Sequence, residues 1–497
     1  MSAASLSLQE RLARELPGGH RFGLYHISTP PTKCAPIFNP GPGTLPQRTY
    51  QESHFLSVTI PTNSSDDGTE LCIFALEVIV YTTKQLTTVF VSKADSTGYV
   101  ADLKLARNHP SVLRTIATTF VSYIIERRQR KDKKLVLSLF ARAQSQYLFP
   151  GSVENPGKHV ADDRQLIKWW CRVLDPILGK YSREGVDVNG TNGDGQESEH
   201  TTAQAYLIVP GEDGIAQFLP PDVRLDPELR KRWTAGHPLR DIAPSPTVPP
   251  RCMIPSFPDD PKSRFVDELD DELRDTPGMQ PGQSPTKRGS GMWRSIKSLE
   301  QFWETMAFRQ ECSSGRMVGF LWMVFTPGDL NDDHELLDSQ EAGGRALSPT
   351  PIGTREGQDL VQRRSKESRR GKKLTGPIIP RVPRIKSNSL SLSNMSQPEE
   401  SPYYYWPSDS RGQIVLDDKD YKRAVEILLR LDFANHSLAV SSTCRWLEEV
   451  AVLGGMTSWG QKLTGQRKAP EVAPAGNSSG TTNLLSAGLV RKKPKVR

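Results

Sequence analysis

LCIFALEVIVYTT, residues 71–83, is the stretch on which the fold turns. It is rich in β-branched residues, and so are its neighbours HFLSVTI (54–60) and LTTVFVSKA (86–94). Partial alternation and β-branching predict three strands of one sheet. The apolar run 71–81 is too short to cross a bilayer and carries Glu77, so no membrane role is expected.

Working outward, SVLRTIATTFVSYIIERR (111–128) has apolar residues at 113, 116, 120, 121, 124 and 125, the spacing of a helix. LVLSLFA (135–141) predicts a buried strand, RQLIKWWCRVLDPIL (164–178) a second apolar-faced helix and AQAYLIV (203–209) another strand. PKSRFVDELDDELRD (261–275) and SLEQFWETMAFRQEC (298–312) predict helices, and RMVGFLWMVF (316–325) a last strand. Residues 17–48 form a Pro/Gly-rich lead-in, and 187–200 a polar loop. A Ser/Pro/Arg/Gly-rich insertion over 327–401 and a basic tail over 464–497 are expected to be disordered. Between them, 417–433 and 442–455 predict two helices whose apolar faces must dock on the core. The sum is a mixed α/β domain: a core over about 50–326, completed by helices over about 402–460, within one unit spanning 1–463.

Composition bounds the function. The 497 residues hold 64 Lys and Arg against 57 Asp and Glu, a net charge of +7, with mean hydropathy -0.50. The positive excess is local, in QRRSKESRRGKK (362–373) and RKKPKVR (491–497), which suit nuclear import or polyanion binding. No aromatic platform is interleaved with them, so sequence-specific nucleic-acid readout is not expected. Six scattered cysteines without CxxC argue against a disulfide framework and against a metal site. The amphipathic start of the chain predicts an intracellular protein. No GxGxxG, P-loop or Gly-x-Ser-x-Gly supports a dinucleotide, NTPase or serine-hydrolase reading.

Four stretches could carry chemistry. KADSTG (93–98) is an Asp/Ser/Gly turn or a ligand loop. SVLRT (111–115) opens a helix whose free N–H groups, with Arg114, could hold a phosphate. LFARAQSQYLFPGS (139–152) runs a core strand into Arg142, which is costly unless it meets water, a ligand or a carboxylate. KHVADDRQLIKWW (158–170) adds His159, Arg164 and the Trp169–Trp170 pair. A basic and aromatic wall beside a phosphate-friendly loop suits a long anionic cofactor with an apolar arm. FPDDPKSRF (257–265) is first a helix start, with Asp260 as cap, Pro261 at N1, and Phe265, Val266, Leu269 and Leu273 as buried stripe. Capping leaves Asp259, Lys262 and the flanking phenylalanines unexplained.

Taken together and in this order, KADSTG, LFxRxxSQYLFPxS, KH with KWW, and FPDDPKxRF resemble the fungal Rtt-type (regulator of Ty transposition) histone acetyltransferases. Asp95-Ser96 followed by Leu113-Arg114-Thr115 is similar to the metazoan CBP-type acetyltransferases, related in fold. The resemblance implies a central, mostly antiparallel sheet surrounded by helices. It implies nuclear acetyl transfer from acetyl-CoA to lysines of histone H3, core and tail, with no metal. Histone H3–H4 and chaperones of the anti-silencing-function and nucleosome-assembly-protein classes are the implied partners, in replication-coupled nucleosome assembly and the DNA damage response. The cofactor contacts implied are Ala94, Asp95, Ser96, Pro110, Ser111, Val112, Leu113, Arg114, Phe140, Arg142, Gln144, His159, Val160, Ala161, Arg164 and Trp169. Tyr147 and Trp170 are expected on the substrate side, Asp260 with Asp259 as catalytic, and Lys262 as the self-acetylated lysine. The alternatives are a non-enzymatic histone- or nucleic-acid-binding scaffold and an acyltransferase of small amines.

Overall fold

The computed structural model describes residues 6–62, 69–106, 108–181, 201–245, 247–274, 292–308, 316–328 and 397–468. The loop expected over 187–200, nearly all of the insertion over 327–401, and the tail after 468 lie outside the described residues.

The strands are β1 (Arg21–Ser28), β2 (Thr32–Cys34), β3 (Thr49–Pro61), β4 (Glu70–Thr82), β5 (Leu86–Ser96), β6 (Lys134–Ala141), β7 (Thr202–Ile208), β8 (Trp233–Ala235), β9 (Gly319–Thr326), β10 (Ile414–Val415) and β11 (Gln461–Thr464). They form one sheet in the order β10-β1-β3-β4-β5-β6-β9-β7-β8, with β11 also on β1 and β2 also on β3. Pairing is mostly antiparallel; β5/β6, β7/β8 and β1/β10 are parallel.

Side chains alternate across the sheet as the pleat requires. Val78 and Val80 of β4 join one core, while Ile79 and Tyr81 join the other. Leu321, Met323 and Phe325 of β9 face the first, and Phe320, Trp322 and Val324 the second. Helices cover both faces. On the first lie α1 (Leu8–Glu15), α2 (Val112–Arg128) and α3 (Asp163–Gly179). Short helices α4 (Pro221–Leu225) and α5 (Pro227–Lys231) connect β7 to β8. The second face takes α6 (Leu239–Ile242), α7 (Pro250–Met253), α8 (Pro261–Arg274) and α9 (Leu299–Ala307). Burial on both faces explains why residues 71–81 read as a continuous apolar run rather than a strict alternation.

The returning segment supplies α10 (Asp418–Leu428) and α11 (His436–Leu453), which close the first core through Tyr421, Ala424 and Trp446. The N–H of Cys72 in β4 donates to Thr443 Oγ1 of α11 at 3.0 Å. One expectation needs correcting: the Pro/Gly-rich lead-in contains β1. Phe22, Leu24 and Ile27 are buried there, and β1 pairs with β3 from Gly23↔Thr59 to Ser28↔His54. The surrounding turn residues mask a strand of only eight residues. Gly23 is required by close approach, since a Cβ there would meet Thr59 Oγ1 at 2.3 Å.

A buried polar network joins β1, β3, α2 and the returning segment. His26 Nε2 and His54 Nδ1 are 3.0 Å apart, and His54 also meets Glu52. Arg128 donates through Nε to Glu52 at 2.9 Å and through a terminal nitrogen to Ser410 Oγ at 2.6 Å. Burial and then His54 hold His26 well below its usual 6.5, and burial also lowers His54. Burial alone would raise Glu52, but Arg128 and His54 bring it below its usual 4.5.

Both histidines stay neutral in the fold at pH values where the unfolded chain takes up protons. Their contribution is therefore full above about pH 6.5 and is lost as pH falls toward the folded values, by up to about 1.4 kcal/mol per unit and group. Unfolding midpoints measured against pH should decline below pH 6.5, less steeply in His26→Gln; an unchanged slope refutes the assignment.

Candidate functional site

The parallel pairing of β5 with β6 sends both strands out of the same edge of the sheet, and the chain that follows each builds a wall of one cavity. Its volume is about 650 Å³. β5 contributes Lys93, Ala94, Asp95 and Ser96; the end of β6 and its loop contribute Phe140, Arg142, Gln144 and Tyr147. The third wall is the approach to α3 and its first turns, with Lys158, His159, Val160, Ala161, Lys168, Trp169, Trp170 and Arg172. Leu113 of α2 also lines it.

Asp95 is what joins these walls. Its Oδ2 accepts the N–H groups of Tyr147, Leu148 and Phe149 at 2.7, 2.9 and 3.3 Å. Its Oδ1 accepts from the Lys158 ammonium at 2.9 Å and from the Ser96 N–H at 2.8 Å. Lys158 in turn donates to Ser152 Oγ at 2.6 Å. The carboxylate is thus committed to the protein itself, and fixes the Tyr147 turn against the end of β5. Asp163 plays a matching part at the start of α3, where Asp162 provides a capping box with Gln165. Asp163 accepts from the N–H groups of Ala143 at 2.8 Å and Met317 at 3.1 Å, and pairs with Arg316 at 2.8 Å.

Of the residues singled out in the sequence, Ala94, Asp95, Ser96, Leu113, Phe140, Arg142, Gln144, Tyr147, His159, Val160, Ala161, Trp169 and Trp170 line this cavity. The start of α2 is placed differently. Ser111 caps the helix, its Oγ accepting from the Arg114 N–H at 3.4 Å, and Val112 is buried in the core. Pro110 and Arg114 line a neighbouring groove instead. Arg164 points away, paired with Glu212 at 2.8 Å and lying over Phe218. A first helical turn in sequence does not reveal which side its N-terminus faces. Lys93, Lys158, Lys168 and Arg172 also line the cavity; KADSTG, KH and KWW contain the three lysines, but sequence does not show which way a lysine on such a motif points.

The DDPK stretch divides. Asp259 is exposed, in the left-handed region at φ 58°, and accepts a hydrogen bond from the Tyr147 hydroxyl at 3.0 Å. Burial and Asp259 together push the tyrosine pKa up. Asp260 is buried at 1% exposure and forms an ion pair with the equally buried Lys262. It also starts α8, its Oδ1 accepting the Lys262 N–H at 3.0 Å. Phe265, Val266 and Leu269 face the second core as expected. Lys262 Nζ lies 4.6 Å from the ring centre of Phe257, and burial holds its pKa well below the usual 10.5. Phe257 stacks on Phe90 at 4.4 Å, and Phe90 on the cavity residue Phe140 at 6.2 Å. The buried pair therefore lies behind an aromatic layer from the cavity, not at its open mouth. Among the described residues no cluster of His, Cys, Asp and Glu could hold a metal ion.

Residues 8–449 match the family model of the histone acetyltransferase KAT11-type domain. The chain is 41% identical to the histone acetyltransferase rtt109 of Aspergillus flavus, over 100% of this chain and 90% of that protein. It is 32% identical to the histone acetyltransferase rtt109 of Schizosaccharomyces pombe, over 61% of this chain and 67% of that protein. The crystal structure of Rtt109 from Aspergillus fumigatus aligns with a TM-score of 0.70 and 40% identity, covering 93% of this chain and 100% of that one.

Asp95→Asn removes the charge paired with Lys158 and leaves an amide facing two donors. Because breaking a buried pair typically costs about 3–5 kcal/mol, denaturant titration should show a loss of that size. A loss below 1 kcal/mol would mean that the walls are held together by something else.

Proposed function

This chain belongs to the KAT11-type family of histone acetyltransferases, which implies acetyl-CoA as co-substrate, and on that premise we propose that it acetylates lysines of histone H3 in the nucleus at the cavity between β5, β6 and α3. Family membership sets aside the non-enzymatic scaffold. The observation that supports this site is that the ends of β5 and β6 and the first turns of α3 meet in one cavity with the polarity acetyl-CoA needs. Arg142, Lys168 and Arg172 supply positive charge for its phosphates, while Phe74, Val91, Leu113, Phe140 and Trp169 supply an apolar side for its arm. Tyr147 and Trp170 would face the incoming lysine.

Acetyl transfer needs a neutral amine, yet a free lysine of pKa about 10.4 is neutral in only about one molecule in a few thousand at pH 7. In this reading the exposed Asp259 at Tyr147 draws in the substrate ammonium, and its proton passes inward to the buried Asp260 carboxylate as the aromatic layer between them opens. The amine nitrogen then attacks the thioester carbonyl, the carbon–sulfur bond breaks, and the thiol of CoA leaves. In the arrangement described here Lys262 neutralises Asp260. Burial among phenylalanines favours the neutral form of Lys262, the form that can itself be acetylated. Acetylation makes that amine an uncharged amide and returns the negative charge of Asp260 to the substrate. Stimulation by the two chaperone classes, and roles in nucleosome assembly and the DNA damage response, complete the proposal.

Labelled acetyl-CoA with H3–H4, with and without a chaperone, should label H3, and more strongly with the chaperone; unlabelled H3 refutes the substrate. For the base, Asp260→Asn should lower kcat about 10²–10⁴-fold and remove the ascending limb of the kcat/KM pH profile. A retained limb with only a raised KM would leave Asp260 an attracting charge. Lys262→Arg should keep the pair and remain slow, whereas Lys262→Gln should be faster; equal rates exclude release by acetylation.

A further inference from the structure

A second depression, of about 880 Å³, runs between α1, α2 and α3 and shares Arg172 with the cavity. Its floor is a part-buried side of α2, with Thr115, Thr118 and Thr119 on successive turns and the buried Ser122 beyond them. From Thr115 to Gln129 that floor is about 20 Å long, at 1.5 Å per helical residue. Arg14 of α1 and Arg467, just beyond β11, stand on one rim; Arg172 and Lys180 of α3 and its end stand on the other. Seven arginines and lysines line the groove against two glutamates. Those glutamates offset only part of it: Glu126 pairs with Arg11 and Lys180, and Glu15 with Arg467 at 3.6 Å, while Arg127 pairs with Asp409 outside the lining. Arg114 is crowded: burial, then Arg172 and Arg467, lower its pKa. So dense a set of like charges is relieved by an anion.

We propose that this groove binds an extended, Asp/Glu-rich peptide segment of a partner protein. Length fits, since about six extended residues span about 20 Å. Chemistry fits as well: arginines pair with carboxylates in fork geometry, while Thr118 and Ser122 are bonded within the protein and leave recognition to the charges. The histone substrate is not this ligand, because its lysine-rich tails are repelled by the same charges. Single-stranded nucleic acid fits less well, as Tyr181 is the one aromatic ring among the described lining residues and bases need stacking surfaces. The proposal is independent of the acetyl-transfer reading. Arg114 and Arg172 adjoin the cavity, so the test uses the far end.

The experiment is fluorescence anisotropy on the full chain with a labelled hepta-glutamate peptide, a hepta-glutamine peptide and a labelled oligothymidine. The variant is Arg14→Glu/Lys180→Glu, with thermal unfolding checking that it folds. Binding of hepta-glutamate should weaken at least tenfold in the variant and fall with added salt, while hepta-glutamine should not bind. Acetylation of histone without a partner, and KM for acetyl-CoA, should be unchanged. The terminal basic runs give the same background in both proteins, so the difference is the readout. Undiminished hepta-glutamate binding overturns the proposal. So does competition by saturating acetyl-CoA with a raised KM, which would make the groove an arm of the cofactor site. A selective loss of oligothymidine binding would assign it to nucleic acid instead.

Discussion

All thirteen residues of β4 are buried, and the rest of the molecule is arranged around covering that strand on both faces. Because helices must supply both layers, segments from the two ends of the described chain are drawn in. α1 comes from the start, and α10 and α11 from beyond residue 400. The strand's one buried acid at its middle, Glu77, shows the cost of that position. A charge so deep needs a partner, and Glu77 takes Lys93 from β5 and the Tyr421 hydroxyl from α10 at 3.0 Å. The pairing sits at a bulge between β4 and β5, where an irregular register re-aims a side chain. Glu52 repeats the solution on β3 with Arg128 and His54.

The site is built on the same logic at one level up. Loops at the edge of a sheet have no ladder to hold them, and here carboxylates take the place of a neighbouring strand. Asp95 gathers three consecutive N–H groups of the Tyr147 turn, and Asp163 gathers two from segments that meet at the start of α3. Each also holds a cation, Lys158 or Arg316. Neutralised and fully bonded, these acids position the walls rather than meet the ligand. The cavity's other cations and its rings are left to do that.

Strands β3 to β6 and β9, and the long helices, were legible because burial on a regular element leaves a period or an unbroken apolar run. β1 was not, because eight residues between turn-formers carry too little pattern, and its partner β3 begins twenty residues later. The motifs that form the cavity were legible as a set. Their roles were less so: sequence shows that Asp95 and Asp260 are acidic, but only three-dimensional partners show that one binds backbone and the other a buried lysine. The groove was beyond reach for a similar reason, since Arg14, Arg172 and Arg467 meet only after folding.

The charges on the two sides of the sheet point in opposite directions. On the second face α8 presents Asp267, Glu268 and Asp271 to solvent, beginning from the same helix start that carries Asp260. On the first face lies the arginine-rimmed groove. With screening lengths near 8 Å at physiological salt, each surface acts mainly on what is next to it, and the buried sheet keeps them apart. By charge alone, a lysine-rich segment is attracted on the α8 side and repelled at the groove, and an acidic segment the reverse. The formal charge of +7 hides this, because its excess lies in 362–373 and 491–497 and says nothing of either face. Net charge alone would predict an enzyme that repels its own substrate. The separation resolves that conflict: attraction is local, and α8, which carries Asp259 and Asp260 at its start, is the acidic side.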